Sequence, residues 1–548
     1  MKTERVKEFP MKDQLFNDYI EAFDKVSDFF TFDPKEEESF QRRMETMVPK
    51  PFEQRKELVA SLTAYNRSLG CSHKVLRNIK KLKEKDTFAV VTGQQAGIFA
   101  GPLYSIYKAA AVISLSKHIE NETGKTVVPI FWVASEDHDF QEVSSVFVPG
   151  KSTKTEKISV LKPYANNISV GNLPLPKDID DAIENYEKLT LEDKYKEKWM
   201  EIIKSAAYGS GSLADWFARL MSALFSKYGL IFFDSMDQHG RDFSKSIFLA
   251  ALQNHDEINH VLTDNKHELT AKKYTPQLEW DSQTLPFFLN TPEGRFSLVK
   301  EDDHTYTAND PSKTCFSKED IESEIDKKPG RFSPNVLLRP MVQDHILPTV
   351  AYAAGPGEIA YYAQLKNIYP VFQQEMPVIF PRLSATIIDE DMTEALNIFD
   401  LSIEELFYDH DDHLKNYLHS KEPFPIEKRF DEIKQIFENY YNHLGNDLVE
   451  IDEDLKTLSE ENFGRIRHQI EYLENKTKQK HRRNEKKAVQ LYENLKENLL
   501  PKGNPQERMF TVFPYLFRLD QAFLDAVTDI QPDQYFQHIA LLVGDDKN

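Results

Sequence analysis

Apolar runs in this chain recur at spacings that build an open sheet. Thr87–Val91 is β-rich and follows the charged run Lys80–Lys85, so a buried strand is predicted there. Gly101-Pro102 opens a helix, because proline at the first helical position loses no hydrogen bond. That helix runs through Lys108 and Ala109–Val112 and stops near Gly124. Val127–Ala134 predicts a second buried strand, and a strand–helix–strand unit implies parallel pairing. The pattern returns at Leu213–Tyr228, an amphipathic helix, and at Leu230–Phe233, a short strand ending at Asp234. It returns again at Arg331–Arg382, with a strand at Thr349–Ala354, a helix through Ala360–Lys366 and a last strand at Pro377–Pro381. The fold class is α/β with a parallel-sheet core.

Between these stretches the chain changes character. Residues 10–85 read as helical, with Phe16, Tyr19, Ile20 and Phe23 among interspersed charges. The predicted organisation places the first part of the core in 1–150 and an insertion in 151–211. The core continues in 212–264, a second insertion fills 265–330, and the core ends in 331–384. The second insertion reads as polar and loop-rich, with Pro276, Pro286, Pro292 and Pro311. Residues 385–548 form a charged helical domain. There Ile466, Ile470, Leu473, Thr477, Asn484, Leu491 and Leu495 approximate the 3-4 alternation of a coiled coil. A long amphipathic helix within a bundle is the alternative.

The formal net charge of −21 argues against a nucleic-acid partner held by bulk electrostatics. Two cysteines, Cys71 and Cys315, make neither a disulfide framework nor a thiolate metal site. No apolar run approaches the ~20 residues of a membrane span, and the N-terminus lacks the apolar core of a signal peptide. A cytoplasmic protein without a membrane partner is expected.

Candidate chemistry collects at predicted strand ends, where ligands bind in open α/β sheets. Thr92, Gly93, Gln94 and Gln95 follow the first strand. Their spacing is neither of the two standard glycine-rich phosphate motifs. Gly101, Pro102, Tyr104 and Lys108 belong to the next helix, Tyr104 and Lys108 on one face. For Lys108 a solvated helix charge is the alternative. Glu136, Asp137, His138 and Asp139 follow the second strand and could supply general acid–base groups. If the strand continued, alternation would send Glu136 and His138 one way and the aspartates the other; a helix start capped by an aspartate is equally open. The cluster matches no standard zinc spacing, so no metal is predicted. Trp132, just before it, is a further candidate contact. In the third region Asn335, Arg339, Gln343, Asp344, Gly355, Gly357, Glu358 and Arg382 are candidates. Two helix N-termini facing one crevice would suit carboxylates, with Arg339 and Arg382 as forked partners. Alternatively Arg339 and Asp344 pair in the core.

The segments TGQQAGIFAGPLYSIYKAA (92–110), FWVASEDHDFQEV (131–143) and SPNVLLRPMVQDHILPTVAYAAGPGEIAYYAQL (333–365) resemble the bacterial BshC family, as does NPQER (504–508). The resemblance spans the chain. It implies a Rossmann-like core with connecting-peptide insertions, distantly like class I aminoacyl-tRNA synthetases, and a C-terminal coiled coil that makes a homodimer. It implies a ligase of bacillithiol biosynthesis that joins the carboxyl of cysteine to the amine of glucosamine-malate as an amide. ATP is the natural activator, yet the sequence has no H-I-G-H and no K-M-S-K-S. A non-catalytic ligand-binding or scaffold protein of the same pathway is the alternative function. A metal-dependent hydrolase built on Glu136–Asp139 is a weaker one.

Overall fold

Strand β1 (Thr87–Gln94) is buried along nearly its whole length, as a central parallel strand covered on both faces must be. The computed structural model describes residues 2–6, 13–47, 52–150, 154–162, 167–408 and 412–544. The predicted helical stretch 10–85 and the insertion 151–211 therefore each extend partly outside the described residues, at 10–12, 48–51, 151–153 and 163–166. Helix α1 (Leu103–Thr123) follows β1 and ends at Gly124, whose φ of +65° and N–H bond to the Glu120 carbonyl stop the helix. Next come β2 (Thr126–Val133), β3 (Ile231–Asp234), helix α2 (Arg339–Ile346), β4 (Thr349–Ala354), helix α3 (Pro356–Tyr362) and β5 (Val378–Pro381). The five strands lie in the order β5–β4–β1–β2–β3, and every pair is parallel. This is the doubly wound Rossmann arrangement. The chain winds outward from β1 to β3, then returns to the other side of β1 as β4. The topological switch point thus lies between β1 and β4.

The segment 265–330 departs from the loop-rich expectation. Thr284–Thr291, Gly294–Lys300, Thr305–Ala308 and Cys315–Ser317 form an antiparallel sheet completed by Phe332–Pro334, with a helix at Lys318–Lys327. Its strands are short and carry prolines and charges, which masked their alternation. Phe287, Leu289, Leu298 and Tyr306 nevertheless reach the main core.

The chain divides into two compact units, 1–387 with 504–541 and 388–503 with 542–548. Within the predicted helical domain 385–548, residues 504–541 thus group with the first unit. Residues 504–541 belong to the first unit because Glu507 pairs there with Arg382 and His538–Leu542 joins a sheet with Ser384–Ile388. The second unit is built on an antiparallel helical hairpin, Ile426–Val449 and Asp454–Asn484. Lys434 to Glu474 (3.0 Å) and Tyr441 to Asn462 (2.8 Å) tie its two arms. The predicted seam through Leu495 is interrupted. The helix ends at Glu485, and Tyr492 and Leu495 are buried on a separate helix, Lys486–Leu499, where Tyr492 meets Phe399.

Candidate functional site

A cavity of about 720 Å³ opens where β1 and β4 diverge at the switch point. Of the predicted residues, Gly93, Gln94, Gln95, Tyr104, Lys108, Trp132, Glu136, Asp137, His138, Asn335, Arg339, Gly355, Gly357, Glu358 and Arg382 line it. Gly93 faces Trp132 closely; a Cβ there would lie 3.3 Å from the Trp132 Cβ and carbonyl oxygen.

Six predicted residues do not line the cavity. Thr92 remains in the sheet, its hydroxyl donating to the Ala353 carbonyl (2.8 Å). Gly101, at φ +71°, follows Phe99 and Ala100, themselves left-handed, and with Pro102 shapes the entry into α1 behind the cavity. Asp139 realises the helix-start reading. It caps Phe140–Val143, accepting from the Gln141 and Glu142 amides. Gln343 and Asp344 are buried behind Arg339. The Gln343 oxygen accepts from Arg339 Nη1 (2.9 Å) and its amide donates to Asp344 Oδ1 (3.0 Å), which orients the arginine. Arg339 and Asp344 therefore do not pair directly.

At each of the two expected helix N-termini one amide is already bonded. The Leu103 amide at the start of α1 donates to the Phe510 carbonyl (2.8 Å), and the Gly355 amide donates to Glu358 (2.7 Å). Arg382 has spent its fork as well. Both Nη atoms bond Glu507 (3.1 and 2.6 Å), whose carboxylate also accepts from Ser384 and Ala385. Lys108 is not a solvated charge. Its ammonium bonds the Gly93 carbonyl (2.8 Å), Gln94 Oε1 (3.1 Å) and Glu358 (2.7 Å), which uses all three protons. Burial pushes Glu358 up, but Lys108 and the Gly355 amide outweigh it and hold it below the usual carboxylate range.

Arg339 is different. It donates to Gln343, Tyr361 (3.2 Å) and Tyr362 (3.4 Å) and stands 5.2 Å over the Tyr352 ring. No carboxylate among the described residues lies within ion-pair distance of it, although Glu358 and Glu136 act on its charge from further off.

Glu136 lies in the turn after β2 and is 5% exposed. Its side chain accepts no hydrogen bond from the described residues. Burial drives its pKa up, against the pull of Arg241, Arg295 and Arg339, to about 7. Such a carboxyl exchanges a proton near neutrality, as a general base requires. Asp137 is instead engaged as a local cap, accepting from the His138 amide and from Gln95 Nε2 (2.6 Å). His138 lies 3.2 Å from Arg295 Nη1 through Nδ1. Burial and the Arg295 charge hold it below its ordinary range, and so neutral.

Arg295, Phe288, Tyr361, Glu142 and Arg508 also line the cavity and were missed. Arg295 comes from the segment read as loop. It stacks 4.0 Å over Phe288 and donates to Ser333 and Pro334. Only the strand alternation of 284–300 could have pointed to it. Arg508 sits in the NPQER segment, so that motif was the signal.

A doubly wound parallel sheet with an arginine-rich crevice at its switch point defines a Rossmann-like protein, with the crevice where ligands bind in such sheets. Residues 1–383 match the family model for the N-terminal Rossmann-like domain of bacillithiol biosynthesis BshC, and 385–542 the model for its C-terminal coiled-coil domain. The chain is 32% identical over 500 residues to a protein of Desulforamulus reducens, covering 91% of this chain and 92% of that one. Over 538 residues it is 32% identical to one of Symbiobacterium thermophilum, covering 95% and 96%. A Bacillus cytotoxicus protein is 31% identical over 516 residues, covering 94% and 95%. Each is named "Putative cysteine ligase BshC". The chain belongs to the BshC family of bacillithiol biosynthesis.

Proposed function

We propose that this protein is a ligase that adds cysteine, through its carboxyl group, to the amine of glucosamine-malate. The observation that carries the reading is Glu136, a buried carboxyl poised near neutrality in the cavity at the switch point. An ammonium cannot attack an acyl carbon until it loses a proton. In the proposed step the amine nitrogen forms the C–N bond, Glu136 takes its proton, and the activating group leaves the acyl carbon with the bonding electrons. Arg339 is proposed to hold a carboxylate of the acidic sugar. A free carboxyl needs activation, for which ATP remains the proposed source. Lys108 does not fit a phosphate, because its three protons are already bonded, and no step is routed through the nucleotide.

The active species is proposed to be a homodimer made through the helical hairpin. Ile436, Phe437, Tyr440 and Leu444 are exposed along one helix there, an apolar stripe that a second copy would cover. No described helix is long and apolar enough to cross a membrane.

Purified protein supplied with cysteine, glucosamine-malate and ATP should yield the cysteinyl amide by mass spectrometry. Glu136→Gln should lower kcat by a factor on the order of 100 to 10,000. Unchanged bacillithiol in cells carrying only that variant would overturn the reading in favour of a scaffold.

A further inference from the structure

Behind Glu136, away from the cavity, lies Arg241 on the helix Gln238–Gln253. It is 6% exposed and is not among the residues that line the cavity. One arm is fixed: Nη1 donates to the Gly330 (2.9 Å) and Phe332 (2.7 Å) carbonyls. The other arm is not. Nη2 is sealed from solvent and has no hydrogen-bond acceptor, while Glu136 Oε2 stands 3.7 Å away. The Glu136 carboxylate in turn accepts nothing from the described residues. A sealed donor thus faces the carboxylate of a cavity-lining residue across a gap too long for a bond.

That gap runs against the ordinary rule that buried polar groups pair. It is held open from both sides. The two carbonyls anchor the guanidinium, and Ser235, receiving the Glu136 amide at 3.2 Å, anchors the turn. The distance has a chemical consequence. A closed, charge-assisted bond would stabilise the carboxylate strongly and leave a weak base. With no cation at all, desolvation would keep the carboxyl protonated at neutral pH. At 3.7 Å the attraction persists without the bond.

Arg295 and Arg339 also favour the ionised carboxyl, but among the described residues only Arg241 stands within ion-pair distance of it. Arg295 from the antiparallel sheet spends its donors on Ser333, Pro334 and His138. Arg339 from α2 gives three of its five donors to Gln343, Tyr361 and Tyr362. Asp137 on the same turn opposes ionisation of Glu136; Asp234 at the end of β3 is bonded to Ser135.

We propose that Arg241 is a positioning residue that sets how readily Glu136 takes the substrate's proton. The inference rests on Glu136 being the base. The test is the pH dependence of kcat/KM for full-length wild type, Arg241→Met and Arg241→Lys. Removing the cation favours the protonated carboxyl. The base must be ionised to act, so the acid limb of Arg241→Met should move up by about one pH unit. Arg241→Lys should recover at least half of that shift. A uniform loss of rate with an unmoved acid limb would overturn the proposal and reduce Arg241 to a brace for residues 330–332.

An infrared titration separates this inference from the functional reading, because it needs no turnover. The protonated-carboxyl band abolished by Glu136→Gln should titrate about one pH unit higher in Arg241→Met than in wild type. An unmoved band overturns the proposal whatever the activity. A moved band in a protein that forms no amide upholds the Arg241 linkage and refutes the ligase reading alone.

Discussion

Glu136→Gln should make the protein more stable while it abolishes activity, and the gain should depend on pH. The folded protein raises the Glu136 pKa from 4.5 to about 7. The fold therefore disfavours the ionised form. Below about pH 4.5 the carboxyl is protonated in both states and costs nothing. As pH rises towards 7 the unfolded chain ionises first, and stability falls by about 1.4 kcal/mol per pH unit. Above 7 the loss levels off near about 3 kcal/mol. Glutamine removes the titration but keeps the shape. The stability of Glu136→Gln relative to wild type should thus grow by about 2.5 kcal/mol between pH 5 and pH 8. Urea unfolding followed by tryptophan fluorescence suits the measurement. All four tryptophans, Trp132, Trp199, Trp216 and Trp280, lie in the first unit, so the signal reports the domain that holds Glu136. An equal difference at both pH values would refute the reasoning, since it would mean Glu136 is solvated like a surface carboxylate.

Other outcomes can be checked alongside. Glu507→Ala strands the Arg382 guanidinium in the interior and should cost about 3–5 kcal/mol in urea unfolding; Arg382→Met with Glu507→Leu should restore most of it. Burial raises Glu507, but Arg382 outweighs it and leaves it below the usual range. The stability this carboxylate contributes should therefore hold above about pH 4.5, the unfolded value, and fade as pH drops through its depressed folded pKa. Arg339→Met should raise KM for glucosamine-malate about tenfold or more, as loss of a charged hydrogen bond does, and leave KM for cysteine unchanged. Gly101→Ala places a side chain at φ +71° and should lower stability by about 1–2 kcal/mol in the same unfolding assay. On the proposed homodimer, Phe437→Glu should give a monomer by sedimentation velocity where wild type gives a dimer.

The parallel core was legible because each strand is a continuous apolar run closed by polar residues, the signature of burial on both faces. Gly93–Gln95 and Glu136–His138 were legible for the same reason, as polar residues at strand ends. What stayed hidden depended on partners distant in the chain. Arg382 reads as a free fork until Glu507, 125 residues later, is seen to fill it. Lys108 reads as a helix charge until the Gly93 carbonyl and Glu358 converge on it. Arg241 carries no local signal, since its meaning lies in a gap between a helix and a turn about a hundred residues apart. Arg295 was hidden by short strands interrupted by prolines and charges.

The bond between Arg382 and Glu507 also bears on how the chain is made. Almost the entire helical unit, 388–503, is synthesised between the two partners. At roughly 5–20 residues per second, a ribosome needs about 6–25 seconds to travel from one to the other. Throughout that interval Arg382 lacks the carboxylate that bonds both its Nη atoms. The crevice therefore receives its last wall residues late in translation, and a chain cut anywhere between 388 and 506 carries every predicted site residue yet lacks both Glu507, the partner of Arg382, and Arg508, which lines the cavity.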